Sequence, residues 1–254
     1  ERLRSAPTRG LPQIFLGAPN SIKGPTEVTF ARQSGNHLLI VGQREDAVDA
    51  LVVVSLRLLR AQFGEAIRLV LIDSRFAAPD KSPFRSAVER IGGIECPDAH
   101  SMGLLLNELA SALKAVADGS QADAGKPVVL FIPNLHRHRK LRHEEDYSFS
   151  LDADAEAKPS DSLQEIILEG PPWGYHLVTS LDSYNNVTRT LGRKAAGEFE
   201  KKVLFQMSAA DSASLIDTGK ASELGLNRAL LYDEAAGTIE IFRPYTMPGM
   251  EWFG

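Results

Sequence analysis

The stretch Gly35–Leu59, GNHLLIVGQREDAVDALVVVSLRLL, reads as strand, turn and helix. Leu38–Val41 is a short apolar run of the kind a central parallel strand needs, and Gly42 closes it. From Asp46 onward the apolar positions Val48, Leu51, Val52, Leu56 and Leu59 recur at helical spacing. A phosphate-binding corner of this shape follows GxxxxGK[ST]. Glycine lets backbone N–H groups close on phosphate, lysine neutralises it and the hydroxyl holds magnesium. Counted from Gly42, the pattern runs through Gln43 and Arg44, its second glycine becomes Ala47, its lysine Val48 and its hydroxyl Asp49. The stretch predicts the shape of a phosphate loop without its chemistry.

With 254 residues, 43% of them hydrophobic and 24% charged, the chain is long enough for one large α/β domain. A net charge of −5 gives no global attraction to nucleic acid, so any such contact needs a local basic patch. The single cysteine, Cys96, excludes an internal disulfide and a four-cysteine zinc site, which fits a reducing, cytoplasmic setting. Cys96 has no basic neighbour to activate it and is expected to be inert. No apolar run approaches a membrane span, and no signal peptide opens the sequence. The first residue is Glu1 rather than methionine, as expected of a piece of a longer protein.

Upstream of the quoted stretch, residues 1–13 read as a basic, turn-rich linker. Ile14–Leu16 and Glu27–Phe30 then form a hairpin of short strands. Downstream, Ile67–Ile72 is a second buried strand ended by Asp73, so a right-handed crossover and a parallel sheet are expected. After a loop at Pro79–Pro83 come helices at Phe84–Ile91 and Met102–Val116, then a third buried strand at Val128–Ile132, halted by Pro133 and Asn134. Residues 136–161, a basic HRHRKLRH run followed by an acidic tract, are expected to be one mobile charged excursion. A helix at Leu163–Leu168, strands at Tyr175–Ser180 and Lys202–Met207 with a helix-like link near Ala195–Phe199, and a short helix at Asp211–Ile216 follow. A terminal hairpin, Ala229–Tyr232 with Thr238–Phe242, completes a domain spanning 14–245, and 246–254 is expected to be a tail.

The order of these elements and several residue runs resemble the FtsK/SpoIIIE motor domains, RecA-like P-loop ATPases that pump DNA or, in type VII secretion, support protein export. The likeness runs from about Phe15 to Tyr245. It rests on FLGAPNSIKGPTEVTF followed by NHLLIVG, on LVLIDSRF where the family ends the strand in Asp-Pro-Lys, on GPPWGYHLVTS, and above all on FEKKVLFQMSAADSASLIDTGKASELGLNRALLY. The resemblance implies a RecA-like P-loop fold, a mostly parallel sheet flanked by helices with hairpins at both ends. It also implies partner ATPase domains in the same longer chain or in a ring, with DNA or a protein substrate as cargo. The departures are as specific. Where the family has Asp-Glu after VVLFI, this chain has Pro133 and Asn134; its polar sensor falls at Asp182; and its Asp-Ser-Arg arginine is Ala213.

Phosphoanhydride hydrolysis needs positive charge around the phosphates and a positioned water. At about 4 Å and an effective dielectric near 20, a unit charge pair is worth roughly 4 kcal/mol, so replacing lysine by valine and adding an aspartate makes the loop repulsive. Glu45, Asp46 and Asp49 instead suit a helix N-terminus, where carboxylates offset the macrodipole. His136, His138 and His143 do not promise convergent metal geometry, so no metal site is expected. Arg137, Arg139, Lys140 and Arg142 are candidates to meet an anion, either DNA phosphate or the chain's own acidic tract. His176 lies within an apolar strand and reads as core rather than as the partner of Asp182 and Ser180 or Ser183 in catalysis.

Three readings follow. The first is a catalytically inactive module of a larger translocase or secretion-type motor, with no cofactor. The second is an active DNA translocase subunit using ATP and magnesium through an unconventional loop. The third is a docking domain taking a peptide or protein in the vacated nucleotide pocket.

Overall fold

The computed structural model describes residues 10–76, 82–121, 125–143 and 158–253. Residues 79–81 of the expected loop and 144–157 of the expected excursion lie outside the described residues. In chain order the elements are β1 (Gln13–Pro19), β2 (Thr26–Thr29), β3 (Leu38–Val41), α1 (Glu45–Phe63), β4 (Arg68–Leu71), α2 (Pro83–Ile91), β5 (Ile94–Glu95) and α3 (Ser101–Ala117). They continue with β6 (Val128–Ile132), α4 (Pro159–Glu169), β7 (Tyr175–Leu181), α5 (Tyr184–Ala196), β8 (Lys201–Leu204), α6 (Ala209–Ile216), β9 (Ala229–Asp233) and β10 (Thr238–Pro244).

The described strands join in one ten-stranded sheet in the order β2-β1-β10-β9-β8-β3-β7-β6-β4-β5. The six from β8 to β5 are parallel, and the four from β9 to β2 extend the sheet in antiparallel fashion. β3 lies at the middle with parallel partners on both sides, so its four residues are all buried. Leu38 and Ile40 point to the face covered by α1 and α2, and Leu39 and Val41 to the face covered by α3, α4, α5 and α6. Burial on both faces is why β3 and β6 are continuous apolar runs rather than alternating ones, and why β7 is buried throughout, its His176, Thr179 and Ser180 included.

Four expectations are revised. α5 begins at Tyr184, not near Ala195. Its apolar positions Val187, Leu191 and Ala195 do recur every four residues, but Asn185, Asn186, Thr188 and Thr190 are weak helix formers and mask the period. Ser183 starts it, its hydroxyl accepting from Asn186 N–H at 3.3 Å. β5 was not expected, being only Ile94–Glu95 after two glycines. The basic run is ordered rather than part of a long excursion: Leu135–Arg137 and Arg139–Leu141 form two 3-10 turns with Leu135 and Leu141 buried, and α4 already begins at Pro159. Finally, residues 246–253 pack as part of the domain. Met247, Trp252 and Phe253 join the core on the α1/α2 face, and Met250–Phe253 is a 3-10 turn.

Candidate functional site

The corner at the C-terminal end of β3 is tight. Gly42, at φ +139°, donates its N–H to Leu181 O at 3.0 Å, and a Cβ there would lie 2.6 Å from the Cβ of Phe205. Only Gly42, Gln43 and Arg44 separate strand from helix, because α1 is helical from Glu45. Arg44 O accepts the first helical bonds, from Ala47 and Val48 N–H at 3.1 and 3.0 Å. Ala47 and Val48 are buried in the core under the corner, so the position of the pattern's lysine faces protein.

The acidic groups of the corner are met by basic side chains of the same chain. Arg137 pairs with Glu45. Arg44 makes two 3.0 Å bonds to Asp46, and these hold the Asp46 carboxyl below the usual carboxylate range; its Nη2 also donates to Asn227 Oδ1 at 3.3 Å. Asp49, at the pattern's hydroxyl position, accepts from Arg75 Nη1 at 2.7 Å and Nη2 at 2.8 Å. The same guanidinium donates to Asp73, from Nη2 at 2.6 Å and Nε at 3.0 and 3.1 Å. It also stacks 3.9 Å over the Phe84 ring. Burial alone would favour discharging Arg75, but the hydrogen bonds to Asp49 and Asp73 outweigh it and hold the guanidinium charged.

Beyond β6, Pro133 is buried and Asn134 adopts a left-handed conformation (φ 53°), with its N–H donating to Ser180 Oγ at 2.8 Å. Neither residue brings a carboxylate to the corner. Asp182 accepts from Ser183 Oγ at 3.0 Å and Asn186 Nδ2 at 2.6 Å. Burial alone would raise its carboxyl, but these bonds hold it low, so it works as a brace for the start of α5. His136 Nε2 stands 3.6 Å from Asp182, and burial lowers the imidazole's affinity for a proton.

His176 lies at the opposite end of β7 from Asp182, wholly buried, its Nδ1–H donating to Asn36 O at 2.9 Å. Among the described residues no three histidines, cysteines or carboxylates converge as metal ligands. Burial pushes the Cys96 thiol up to about 11. Of the four basic candidates, Arg137, Arg139 and Lys140 are exposed, Arg137 pairing with Glu45, and Arg142 has a buried Nε without a partner among the described residues.

The sequence marks Asp73 only as the end of a strand and does not single out Arg75. The available signal was Asp73-Ser74-Arg75 standing where the resembled family has Asp-Pro-Lys, which keeps an acid and a base two residues apart.

The open space left at the corner is a cleft of about 190 Å³ between the start of α1 and residues 243–247, lined by Arg44, Phe205, Asn227, Arg243, Tyr245 and Met247 among others. A larger groove, about 670 Å³, lies elsewhere, over β3, β8 and β9 between α5 and α6. No described helix is long and apolar enough to cross a membrane.

No protein-family model matches the sequence, and no curated protein matches it. Solved structures do. The cytoplasmic domain of the type VII secretion ATPase EccC of Thermomonospora curvata is similar at TM-score 0.66 and 13% identity, over 96% of this chain and 29% of that one. The pCW3 conjugation coupling protein TcpA, solved with ATPγS, is similar at TM-score 0.67 and 12% identity, over 98% of this chain and 69% of that one. ATPases 2 and 3 of EssC from Geobacillus thermodenitrificans give 0.62 and 9%, over 97% of this chain and 46% of that one. The chain thus spans under a third of the EccC chain and under half of the EssC chain. The fold it adopts is that of the RecA-like, FtsK/SpoIIIE-type ATPase domains found in secretion and conjugation machines.

Proposed function

We propose that this chain is a catalytically inactive ATPase-fold module that serves a structural or regulatory role in a larger secretion- or translocation-type motor. The observation that carries the reading is the Asp49–Arg75–Asp73 arrangement: the position of the magnesium-holding hydroxyl is an aspartate already committed on both carboxylate oxygens to a guanidinium. Val48 gives the phosphates no counter-charge, and Pro133 and Asn134 give the attacking water no base. The neighbours being parts of multi-ATPase chains supports a place beside other ATPase domains. The test is calorimetric titration of the chain with ATP and magnesium, together with a phosphate-release assay. Binding no tighter than millimolar and turnover at background are expected; micromolar binding with turnover overturns the reading.

The other two readings gain less. A cleft of about 190 Å³ admits a side chain or two, not a peptide segment, which weighs against docking in the vacated corner. For DNA, three of the four cations, Arg137, Arg139 and Lys140, are exposed, and Arg137 already pairs with Glu45, which leaves two without a counter-charge among the described residues.

A further inference from the structure

We infer that Arg75 is a built-in counter-cation: its guanidinium takes the place of a divalent metal ion between Asp49 and Asp73, and it makes the assembled state of this corner independent of magnesium and nucleotide. The inference rests on the inactive reading and specifies how the fold tolerates the loss of its ligand.

Asp49 lies on the first turns of α1, and Asp73 stands two residues past the end of β4, after the buried Ile72. Their side chains are only 17% and 6% exposed, so two carboxylates are brought to one place with little water to screen them. Such a pair needs a cation. Arg75 presents one with a donor fork on each side: Nη1 and Nη2 to Asp49, Nε and Nη2 to Asp73, all between 2.6 and 3.1 Å. Arg75 N–H also donates to Asp73 Oδ1 at 2.9 Å, which fixes the tight turn that aims the side chain back at the corner. The Phe84 ring, 3.9 Å from the guanidinium, packs against its face and ties α2 to the pair. One side chain therefore joins α1, the end of β4 and α2. The site is acid-rich, partly dry and filled by a cation of fixed geometry, which is the arrangement a hard metal ion would otherwise meet.

The test removes the internal cation and offers an external one. In Arg75→Ala the two carboxylates face each other without the guanidinium between them, Asp73 keeping the backbone N–H of residue 75. The variant is expected to melt well below the wild type, and millimolar manganese or magnesium ion, without nucleotide, is expected to restore at least half of the lost melting temperature, because an ion that binds only the folded state stabilises it by mass action. The wild type is expected to show no such response. Adding Asp49→Asn to Arg75→Ala leaves the same space with one carboxylate fewer, and is expected to abolish the ion response. Arg75→Lys keeps a charge without the two-sided fork, and is expected to fold with intermediate stability and no ion response. An Arg75→Ala protein as stable as wild type, or destabilised but indifferent to the ions, overturns the inference. So does an Arg75→Lys protein that melts no higher than Arg75→Ala. The inactive reading fails by a different result, micromolar binding of ATP with magnesium and turnover by the wild type, so the two failures are separate.

Discussion

Val48 has a side chain 3% exposed, packed with Ala47, Leu51 and Val52 in the core beneath the corner, where the phosphate-loop pattern asks for lysine. Restoring the pattern at that position therefore buries an amine rather than arming a loop. Val48→Lys is expected to lose about 2–4 kcal/mol of stability by denaturant titration and to gain no ATP affinity by calorimetry. The loss of the lysine was legible in the sequence; what replaced its electrostatics was not, because Asp49 and Arg75 are distant in sequence and meet only through the crossover. Two histidines carry a second prediction. His37 Nδ1 accepts from Leu177 N–H at 2.8 Å and its Nε2–H donates to Ile167 O at 2.9 Å, so the ring is neutral, and burial holds its pKa down at about 3. Burial likewise lowers His176 to about 4. An unfolded imidazole protonates near 6.5, so below that pH the unfolded chain takes up two protons that the folded chain refuses. Stability is complete above this value and falls as pH drops toward 4 and 3, by about 1.4 kcal/mol per histidine per pH unit. Denaturant titrations from about pH 7.5 to about pH 5 should show this slope, and a shallower one for His176→Gln; an unchanged slope in the variant counts against it. The burial of His176 was legible from its apolar strand, whereas its bond to Asn36 depends on how β7 meets the start of β3.

α5 is broken at Gly192, which sits at φ +71° and ψ 167°. The break leaves carbonyls of the first half free, and neighbours use them: His143 N–H donates to Thr190 O at 2.9 Å and Gln164 Nε2 to Leu191 O at 3.0 Å. A Cβ at Gly192 would lie 2.5 Å from His143 Cδ2, so Gly192→Ala meets both backbone strain and a clash. It is expected to cost about 1–3 kcal/mol, read as a lower denaturation midpoint; a neutral result means that the basic turns are not seated on α5. Among those turns, any affinity for duplex DNA should reside in Arg139 and Lys140. Changing those two to alanine should remove as much salt-sensitive binding as changing Arg137 and Arg142 as well, because Glu45 holds Arg137 and the Arg142 side chain is partly buried. Equal binding by the double mutant and the parent would rule the turns out as a DNA contact. The sequence marked the charges of HRHRKLRH but not the burial of Leu141 within it and Leu135 just before it, since two apolar residues spaced by a short turn carry no periodicity.

Strands β3 and β6 were legible because parallel strands covered on both faces leave unbroken apolar runs, and β4 and β7 because their runs are only briefly interrupted. The last eight described residues were not, since Met247, Trp252 and Phe253 are scattered in a Pro- and Gly-bearing segment and show their purpose only against α2. A chain ending at Tyr245 is expected to lose about 2–4 kcal/mol, seen as a lower melting temperature, because it uncovers that part of the core; an unaltered midpoint would return the segment to the status of a tail. The pairing of the sheet also sets an order of events during synthesis. β3, its central strand, has no parallel neighbour until Val178 has been made on one side and Val203 on the other, and β1 waits for β10, Gly17 opposite Pro244. A nascent chain emerging from the ribosome must therefore hold LLIV without its sheet neighbours until β7 and then β8 have followed. Such non-local topology makes refolding slow and leaves the half-made chain dependent on chaperone cover.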